Sequence, residues 1–453
     1  MSLPDGRIHI VGAGGAGMSA LAKLLVARGH HLSGSDLRGG PALDALSDLG
    51  IEVFIGHHPE AVKGAGLVVA SSAVPDYDEE LERARSLGIE VWRRPQLLAA
   101  LTGEIPTIGA TGTHGKTTTT ALLVTALRAM GEDPSFVVGG DLLDLSTNGH
   151  FGGADLLVLE ADEAFRTFES LVLNGLVITN VEHEHVDHFG SGRELIDAFT
   201  GVARSVDGPV VACLDDAGSG EVARNVGAVT YGVDPEADWR LTGVSTGPEG
   251  VSFTLGRRGK SAPVSLSQPG HHLALDAAGA IALLVELGRD FDDTVGAVAG
   301  FRGVGRRWEN KGTVAGVSLY DDYAHHPTEV AAVLAAARAV GGGRIWAVFQ
   351  PHLYSRTERF SKEFGQALAA ADVVVVTDVF GAREEPVPGI TGELVANAAR
   401  AAGAEVHYVP HRFELADFLA DRVTRGDLVL SLGAGDITLL HGELAPKLAV
   451  AAP

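Results

Sequence analysis

The segment Thr111–Thr118, with the sequence Thr-Gly-Thr-His-Gly-Lys-Thr-Thr, restricts the possible folds of this chain more than any other segment. An apolar stretch, Ile105–Gly109, precedes it, and a stretch with helical apolar periodicity, Thr120–Met130, follows it. A strand, a glycine-rich turn and a helix in this order are the context that a phosphate-binding loop requires. In such a loop the backbone N–H groups turn toward phosphate oxygens, and the helix N-terminus adds partial positive charge.

Individual side chains of this loop favour a nucleoside triphosphate. Lys116 supplies a mobile positive charge, and Thr117 supplies a hydroxyl for a magnesium ion. Ala110 stands where the strict pattern has glycine, with Gly109 beside it. The alternative is a helix-capping turn that contains Gly-Lys-Thr by chance, but the strand and the helix on either side favour ATP binding. We expect the nucleotide to be bound by Gly112, Thr113, His114, Gly115, Lys116, Thr117 and Thr118.

A second glycine-rich loop, Gly12–Gly17, follows the short apolar strand Ile8–Val11. It satisfies the Gly-x-Gly-x-x-Gly fingerprint of dinucleotide-binding proteins, and Asp36 ends the next predicted strand, where an acidic residue meets a ribose or a base. The fingerprint reports only that a helix N-terminus faces a pyrophosphate. It therefore leaves NAD and a UDP-sugar as alternatives.

Composition bounds the size and the class of the protein. A chain of 453 residues is too long for a single hydrophobic core of ordinary size, and this length predicts two or three domains. The 35 basic and 58 acidic residues, with a net charge of −23, argue against binding to nucleic acid or to an acidic membrane. Cys213 is the only cysteine, so no intrachain disulfide forms. Met1–Arg7 lacks the pattern of a signal peptide, and we expect a soluble cytoplasmic protein.

Short apolar strands alternate with helical stretches along the whole chain, which predicts an α/β protein with parallel sheets. A new strand begins near residue 104 and leads into the phosphate-binding loop, and the glycine-rich segment Phe301–Gly305 precedes a change of pattern. We therefore expect three domains, at residues 1–103, 104–304 and 305–453. The first and third are expected to be Rossmann-like, and the central one to be a P-loop ATPase-type domain with a parallel or mixed sheet.

Acidic and imidazole side chains follow two predicted strands of the central domain. Glu160 ends the apolar strand Asp155–Glu160, where a carboxylate can hold the magnesium of a nucleotide. After the strand Leu176–Thr179 comes a run that is unusually rich in metal-capable groups: Glu182, His183, Glu184, His185, Asp187 and His188. A structural zinc site and a solvated polar loop are the alternatives. The position at the carboxyl end of a strand favours a metal site for ATP.

The predicted third domain carries further charged clusters. Arg306 and Arg307 stand at its beginning, where they are either surface charge or cations that close over a transferring phosphoryl group. The segments Asp321–Pro327 and Gln350–Arg356 each follow a predicted strand. One such cluster could be helix capping, but two clusters at successive parallel strands indicate a ligand crevice.

In these motifs the chain resembles the Mur ligases. The resemblance runs in order from residue 8 to Asp436, and the histidine inside the phosphate-binding loop together with His-His-Pro-Thr-Glu makes it specific. The motifs that carry it are Gly12–Ser19, Gly112–Thr119, Glu160–Glu163, Phe301–Arg307 and Asp321–Val330.

The resemblance implies that the first domain binds the UDP part of UDP-N-acetylmuramate, the second ATP and magnesium, and the third an amino acid, L-alanine. The implied reaction is amide formation through an acyl phosphate, in peptidoglycan precursor synthesis. The implied partners are these small molecules, with no nucleic acid and no membrane, in a monomer or a homodimer.

The resemblance also implies roles for single residues. It implies catalytic roles for Lys116, Glu160, His185 and Arg307. It implies magnesium ligands at Thr117, Glu160 and His185. It adds to the ATP site His272, Asp276 and, for the ribose, Asp322. It implies that the other two substrates are bound by Gly12, Gly14, Gly15, Ala16, Gly17, Met18, Asp36, Ser71, His325, His352 and Arg356.

The chain departs from the family pattern at three places. His272–Asp276 replaces both asparagines of a His-Asn-x-x-Asn element near the adenine, and Asp276 can accept a hydrogen bond but cannot donate one when ionised. Leu353 stands where many members have arginine, and Ala164–Phe168 replaces a more polar run. These departures leave room for a different amine specificity.

Three other functions compete with this interpretation. A peptidoglycan-recycling ligase would join a tripeptide to the same UDP-sugar, although Tyr323 and Glu329 favour the alanine enzyme. An NAD-dependent oxidoreductase built on the first domain would leave the phosphate-binding loop and the histidine-rich run unexplained. A non-catalytic nucleotide-binding regulator is disfavoured by the number of charged groups that converge on a predicted phosphate.

Overall fold

The computed structural model of the chain describes residues 3–182, 189–382 and 384–451. It contains three β-sheets covered by helices, so the predicted α/β class is confirmed. The chain divides into two compact units. The first comprises Met1–Gly243, Phe253–Val264 and Ala274–Arg302, and the second comprises Val244–Ser252, Ser265–Leu273 and Gly303–Pro453. In the described part of the chain, every helix is too short or too polar to cross a bilayer.

The first sheet has five parallel strands: β1 (Arg7–Val11), β2 (Leu32–Asp36), β3 (Glu52–Ile55), β4 (Ala65–Ala70) and β5 (Glu90–Arg93). Its helices are α1 (Ala16–Ala27), α2 (Pro41–Asp48), α3 (Glu79–Ser86) and α4 (Arg94–Glu104). The strand order is β3-β2-β1-β4-β5, which is a Rossmann-like order. The order reverses beside β1, and this places the loop Gly12–Gly17 at the switch point, where ligands of such sheets bind.

The second sheet has ten strands: β6 (Thr107–Thr111), β7 (Ser135–Leu142), β8 (Thr147–His150), β9 (Leu157–Glu160), β10 (Gly175–Ile178), β11 (Val210–Cys213), β12 (Val229–Gly232), β13 (Trp239–Gly247), β14 (Gly250–Arg257) and β15 (Lys260–Leu266). Its helices are α5 (Lys116–Ala129), α6 (Gly192–Ser205), α7 (Ala217–Val226), α8 (His271–Glu286) and α9 (Phe291–Val298). The order is β15-β14-β13-β12-β11-β10-β6-β9-β7-β8. Because β6 is flanked by β9 and β10 in parallel register, the residues after all three strands emerge at one edge.

The third sheet has six strands: β16 (Glu309–Val314), β17 (Val317–Asp322), β18 (Ile345–Phe349), β19 (Val373–Val376), β20 (Glu405–Tyr408) and β21 (Leu428–Leu432). Its helices are α10 (Pro327–Val340), α11 (Tyr354–Leu368), α12 (Gly392–Ala401), α13 (Leu415–Ala420) and α14 (Leu440–Ala451). The order is β16-β17-β21-β18-β19-β20, and all neighbours are parallel except the edge pair β16 and β17. Both faces of this sheet are covered by buried apolar side chains, as continuous apolar strands such as Val373–Val376 require.

Candidate active site

The phosphate-binding loop joins β6 to α5, and two of its residues require glycine. Gly112 has φ +136° and Gly115 has φ +83°, in the region that other L-residues avoid. A Cβ atom on Gly115 would also lie 2.5 Å from Oδ1 of Asp276. The structure therefore brings Asp276, which was predicted near the adenine, against the loop. Lys116, Thr117 and Thr118 form the first turn of α5, as an anion site at a helix N-terminus requires.

The loop is held by the residues that follow β10. The backbone N–H of Thr113 donates to the carbonyl of Asn180 at 3.1 Å, and that of His114 donates to the Asn180 side chain at 2.8 Å. The hydroxyl of Thr179 donates to the carbonyl of His114. The role of Asn180 was not predicted. Its position directly after a strand that neighbours β6 was the signal that could have found it.

Lys116 lies between the loop and an acidic segment. Its Nζ donates to the carbonyls of Gly112 at 2.6 Å and Thr113 at 3.1 Å, and it lies 2.9 Å from Oε2 of Glu163. Burial alone would lower the pKa of Lys116, but the negative charges of Glu163 and Asp162 outweigh that effect and raise it. Lys116 is therefore a cation at every physiological pH. The pairing with Glu163 was not predicted.

Thr117 and Glu160, two predicted magnesium ligands, are brought together. Glu160 ends β9, its Oε1 accepts from the N–H of Gly139 at 2.6 Å, and the Thr117 hydroxyl donates a hydrogen bond to it. Burial raises the pKa of Glu160, so this carboxylate would gain from a nearby cation. A hydroxyl and a carboxylate are hard oxygen ligands, and these two residues fit magnesium. The third predicted ligand, His185, lies outside the described residues, as do His183 and His188.

The predicted substrate residues of the first sheet meet at the carboxyl edge of β1. The N–H of Gly14 donates to Oδ2 of Asp36 at 2.9 Å, so Asp36 supports the loop itself. The N–H of Ser71 donates to the carbonyl of Val11 at 2.9 Å, and its side chain packs beside Gly12. Gly12, Gly14, Asp36 and Ser71 therefore share one edge of the sheet.

The remaining predicted residues of this loop, Gly15, Ala16, Gly17 and Met18, begin α1. Gly15 is the N-cap residue, and its carbonyl accepts from the N–H of Met18 at 3.0 Å. The Met18 side chain is only 2% exposed and belongs to the hydrophobic core. Its contribution to the loop is made by the backbone, whereas the side chain fixes α1 against the sheet.

In the second unit, Asp322 and Arg307 occupy the predicted ligand edge of the third sheet. The Asp322 carboxylate accepts from the N–H groups of Trp308 at 2.7 Å and Ala324 at 2.8 Å. Burial raises the pKa of Asp322 to about 6, against the opposing effect of Arg307. The Arg307 guanidinium lies 5.1 Å from the centre of the Tyr323 ring and 3.7 Å from Oε1 of Glu329.

The two predicted clusters of this unit also meet. The rings of His325 and His352 lie edge to face at 6.0 Å, and NH1 of Arg356 is 3.4 Å from Nδ1 of His352. The N–H of His325 donates to Oε2 of Glu329 at 2.9 Å. Burial lowers the pKa of His272 to about 4, and this keeps its ring neutral at pH 7. The structure therefore gathers one guanidinium and two imidazoles at one place, those of Arg356, His325 and His352.

Known families match three consecutive parts of the chain. They are the Mur ligase family, catalytic domain, at residues 7–104; the Mur ligase middle domain, at residues 110–284; and the Mur ligase, glutamate ligase domain, at residues 306–435. The three sheets with their helices, and the loop between β6 and α5, define an α/β protein with the architecture of this family. The chain belongs to the Mur ligase family.

Individual relatives match over nearly the whole chain. The UDP-N-acetylmuramate–L-alanine ligase of Clavibacter michiganensis is 45% identical over 444 residues, which covers 96% of this chain and 93% of the relative. The ligase of the same name from Kineococcus radiotolerans is 45% identical over 455 residues, which covers 98% of this chain and 96% of the relative. The crystal structure of the UDP-N-acetylmuramate-alanine ligase from Thermotoga maritima superposes with a TM-score of 0.87 at 30% identity, covering 99% of this chain and 100% of that one.

Proposed function

We propose that this chain is an ATP-dependent ligase that joins L-alanine to the lactyl carboxylate of UDP-N-acetylmuramate, giving ADP and phosphate, in peptidoglycan precursor synthesis. One observation carries the proposal: Lys116, Thr117 and Glu160 stand together at a phosphate-binding loop, in a chain that matches ligases of that name over nearly its full length. We also propose the domain bounds 1–103, 104–304 and 305–453, and a cytoplasmic location.

ATP would lie on the loop Gly112–Thr118, with Thr117 and Glu160 holding a magnesium ion and His185 a second one. When bound, magnesium supplies positive charge that neutralises phosphate oxygens. Lys116 is already a buried cation, so it can act on the charge that develops at the transferred phosphoryl group. Asp276 beside the loop supports an adenine position near Gly115, and His272 would contact the same base.

The lactyl carboxylate would attack the γ-phosphorus of ATP, and the bond from that phosphorus to the bridging oxygen of ADP would break. The product is an acyl phosphate. The alanine amine would then attack the acyl carbon, lose a proton, and expel phosphate from a tetrahedral intermediate. Two anions must approach each other in the first step, so Lys116 and Arg307 are needed to offset their repulsion.

The first sheet would bind the UDP part through Gly12–Gly17, Asp36 and Ser71, which share one edge. In the second unit, Asp322 would accept hydrogen bonds from the ATP ribose, and His325, His352 and Arg356 would bind the amino acid. The neighbouring positions of His352 and Arg356 support this last assignment, because a guanidinium can hold the alanine carboxylate.

A ligase for a tripeptide is the less favoured alternative. The relatives that are 41–45% identical are named for L-alanine. A murein peptide ligase from Psychrobacter arcticus superposes with a TM-score of 0.73 at 23% identity, covering 98% of this chain and 99% of that one, which establishes a common fold only.

Phosphate release by the purified protein tests the proposal. The protein is mixed with ATP, magnesium, UDP-N-acetylmuramate and, in separate reactions, L-alanine, L-serine, glycine or the tripeptide. Release that requires both the UDP-sugar and L-alanine is the expected result. Release that requires the tripeptide instead would support the recycling ligase, and ATP hydrolysis that ignores every amine would refute both ligase functions.

A further inference from the structure

Arg94, to which the sequence analysis gave no role, begins α4 directly after β5, at the carboxyl edge of the first sheet. Its guanidinium lies against the first turn of α1: a Cβ atom on Gly17 would be 2.9 Å from Cζ of Arg94 and 3.0 Å from its NH2. On its other side, NH1 lies 3.8 Å from Oδ2 of Asp162. Arg94 therefore stands between the fingerprint loop and the acidic segment that contacts Lys116.

The charge of Arg94 is poorly compensated for its degree of burial. The side chain is 20% exposed, and its Nε is buried without a hydrogen-bond partner among the described residues. An ion pair of 3.8 Å is longer than a charge-assisted hydrogen bond, which spans roughly 2.7–2.9 Å. Removing even one N–H donor of a guanidinium, here that of Nε, from water without an acceptor is unfavourable.

Two other arginines near this sheet form close hydrogen bonds within the protein and serve for comparison. Arg93 donates to the carbonyl of Val74 at 2.7 Å and pairs with Asp76. Arg28, at the far end of α1, donates to Oε2 of Glu104 at 2.6 Å. Both have close acceptors within the protein, although NH1 of Arg28 is also buried without a partner among the described residues. The contact of Arg94 with Asp162 is longer, at 3.8 Å, and its guanidinium lies against Gly17.

We propose that Arg94 binds the diphosphate of the nucleotide-sugar. The identity of this ligand rests on the proposed function, whereas its chemistry follows from the site. The N-terminus of α1 offers backbone N–H groups to a pyrophosphate, and Arg94 adds a fixed positive charge beside that same turn. Its planar fork matches two phosphate oxygens at once, which a lysine cannot do. Arg94 is thus a substrate-binding residue of the first sheet.

Isothermal titration calorimetry of the full-length protein with UDP, UMP, UDP-N-acetylmuramate and ATP tests the assignment. Arg94→Met keeps the apolar stem and removes the charge. This variant is expected to lower the affinities for UDP and for UDP-N-acetylmuramate by the same factor, about 10- to 100-fold, because a hydrogen-bonded charge is lost. The affinity for UMP is expected to fall by a smaller factor, and the affinity for ATP is expected to stay unchanged. Arg94→Lys keeps the charge but loses the planar guanidinium. Its affinity for UDP should lie between those of Arg94→Met and the wild type.

Arg28→Met is the matched control, because it removes an arginine from the opposite end of α1 and should leave all four affinities unchanged. Thermal unfolding shows whether Arg94→Met is folded. If it is not, Arg94→Lys is used for the test instead. Equal UDP affinity in the wild type and the Arg94 variants would overturn the assignment. A loss confined to UDP-N-acetylmuramate would also overturn it and would assign Arg94 to the sugar acid. Wild-type protein that binds ATP but no uridine compound would refute the proposed function together with this inference.

Discussion

Oε2 of Glu163 lies 2.9 Å from Nζ of Lys116, and the Glu163 and Lys116 side chains are 1% and 14% exposed. Glu163 is fully buried, and Lys116 also donates to two carbonyls of its own loop. Each charge offsets the burial of the other. Under the proposed function, a phosphate in the loop would compete with Glu163 for the lysine, and the pair would then couple the stability of the loop to nucleotide binding.

Lys116→Ala is expected to reduce ligase activity by several orders of magnitude. The lysine acts on charge that develops during phosphoryl transfer, where loss of one such contact costs about 3–4 kcal/mol or more. Steady-state phosphate release at saturating ATP measures the effect. Lys447→Ala, which removes a lysine from a surface pair with Asp417, is the control and should retain activity.

Lys116→Ala also leaves Glu163 buried without its partner, so stability must be measured separately. The double variant Lys116→Ala with Glu163→Gln removes that uncompensated charge. It should recover thermal stability relative to the single variant and remain inactive. Near-normal turnover by either variant would contradict the assignment of the phosphate-binding loop.

The sequence predicted the elements around the site because each apolar strand is followed directly by polar residues. Glu160 and the loop Gly112–Lys116 were placed correctly, since β6 and β9 are parallel neighbours. The strand β7, whose parallel pairing with β9 brings Gly139 to Glu160, was missed together with its antiparallel partner β8. These strands contain several glycines and little alternation, so periodicity could not reveal them.

The pairing of Lys116 with Glu163 could not be predicted for a different reason. The chain after Glu163 takes an unusual path, in which Phe165 has φ +53° and Arg166 has φ +54°. Neither residue favours this left-handed region, so local propensity gives no signal for it. The burial of the Met18 side chain was not predicted either, because a motif position does not reveal which face of a helix is buried.

Gly112→Ala is expected to destabilise the loop and weaken ATP binding. An alanine Cβ would lie 2.8 Å from the carbonyl oxygen of Asn180, at a φ of +136° that alanine avoids. The expected loss of stability is about 1–3 kcal/mol. Gly201→Ala in α6 is the control: its Cβ would meet nothing within 4 Å, and it should stabilise the helix by about 0.5–1 kcal/mol. Urea unfolding and ATP calorimetry on both variants check this, and equal ATP affinities would contradict it.

The first sheet is expected to bind a UDP-sugar and not a nicotinamide cofactor. The fingerprint loop serves any pyrophosphate, and the other motifs of the chain serve ligation rather than hydride transfer. Calorimetry with NADH, NADPH and UDP-N-acetylmuramate decides between them. Micromolar binding of NADH without a response to the UDP-sugar would reverse this interpretation.

Asp322→Asn is expected to change how stability depends on pH. The pKa of Asp322 is raised to about 6 in the folded protein, so the folded state binds this proton more tightly than the unfolded state does. Wild-type stability relative to Asp322→Asn should therefore fall as the pH rises from about 4 to about 6, by up to about 3 kcal/mol, and stay constant above that range. Urea unfolding at a series of pH values measures the difference.

Asp76→Asn is the control with the opposite sign. Hydrogen bonding to Arg93 lowers the pKa of Asp76, so wild-type stability relative to Asp76→Asn should rise with pH through the acidic range. A difference between wild type and Asp322→Asn that does not depend on pH would mean that Asp322 titrates normally.

His185→Ala is expected to raise the magnesium concentration needed for activity without abolishing ATP binding. Thr117 and Glu160 are joined by a hydrogen bond and would still hold the first ion, whereas His185 is expected to hold a second one. Imidazole is an uncommon magnesium ligand, so a contact through water would suffice. A magnesium titration of activity should separate His185→Ala from His183→Ala and His188→Ala, which are expected to change little. Equal, small effects in all three variants would mean that this run is a solvated loop.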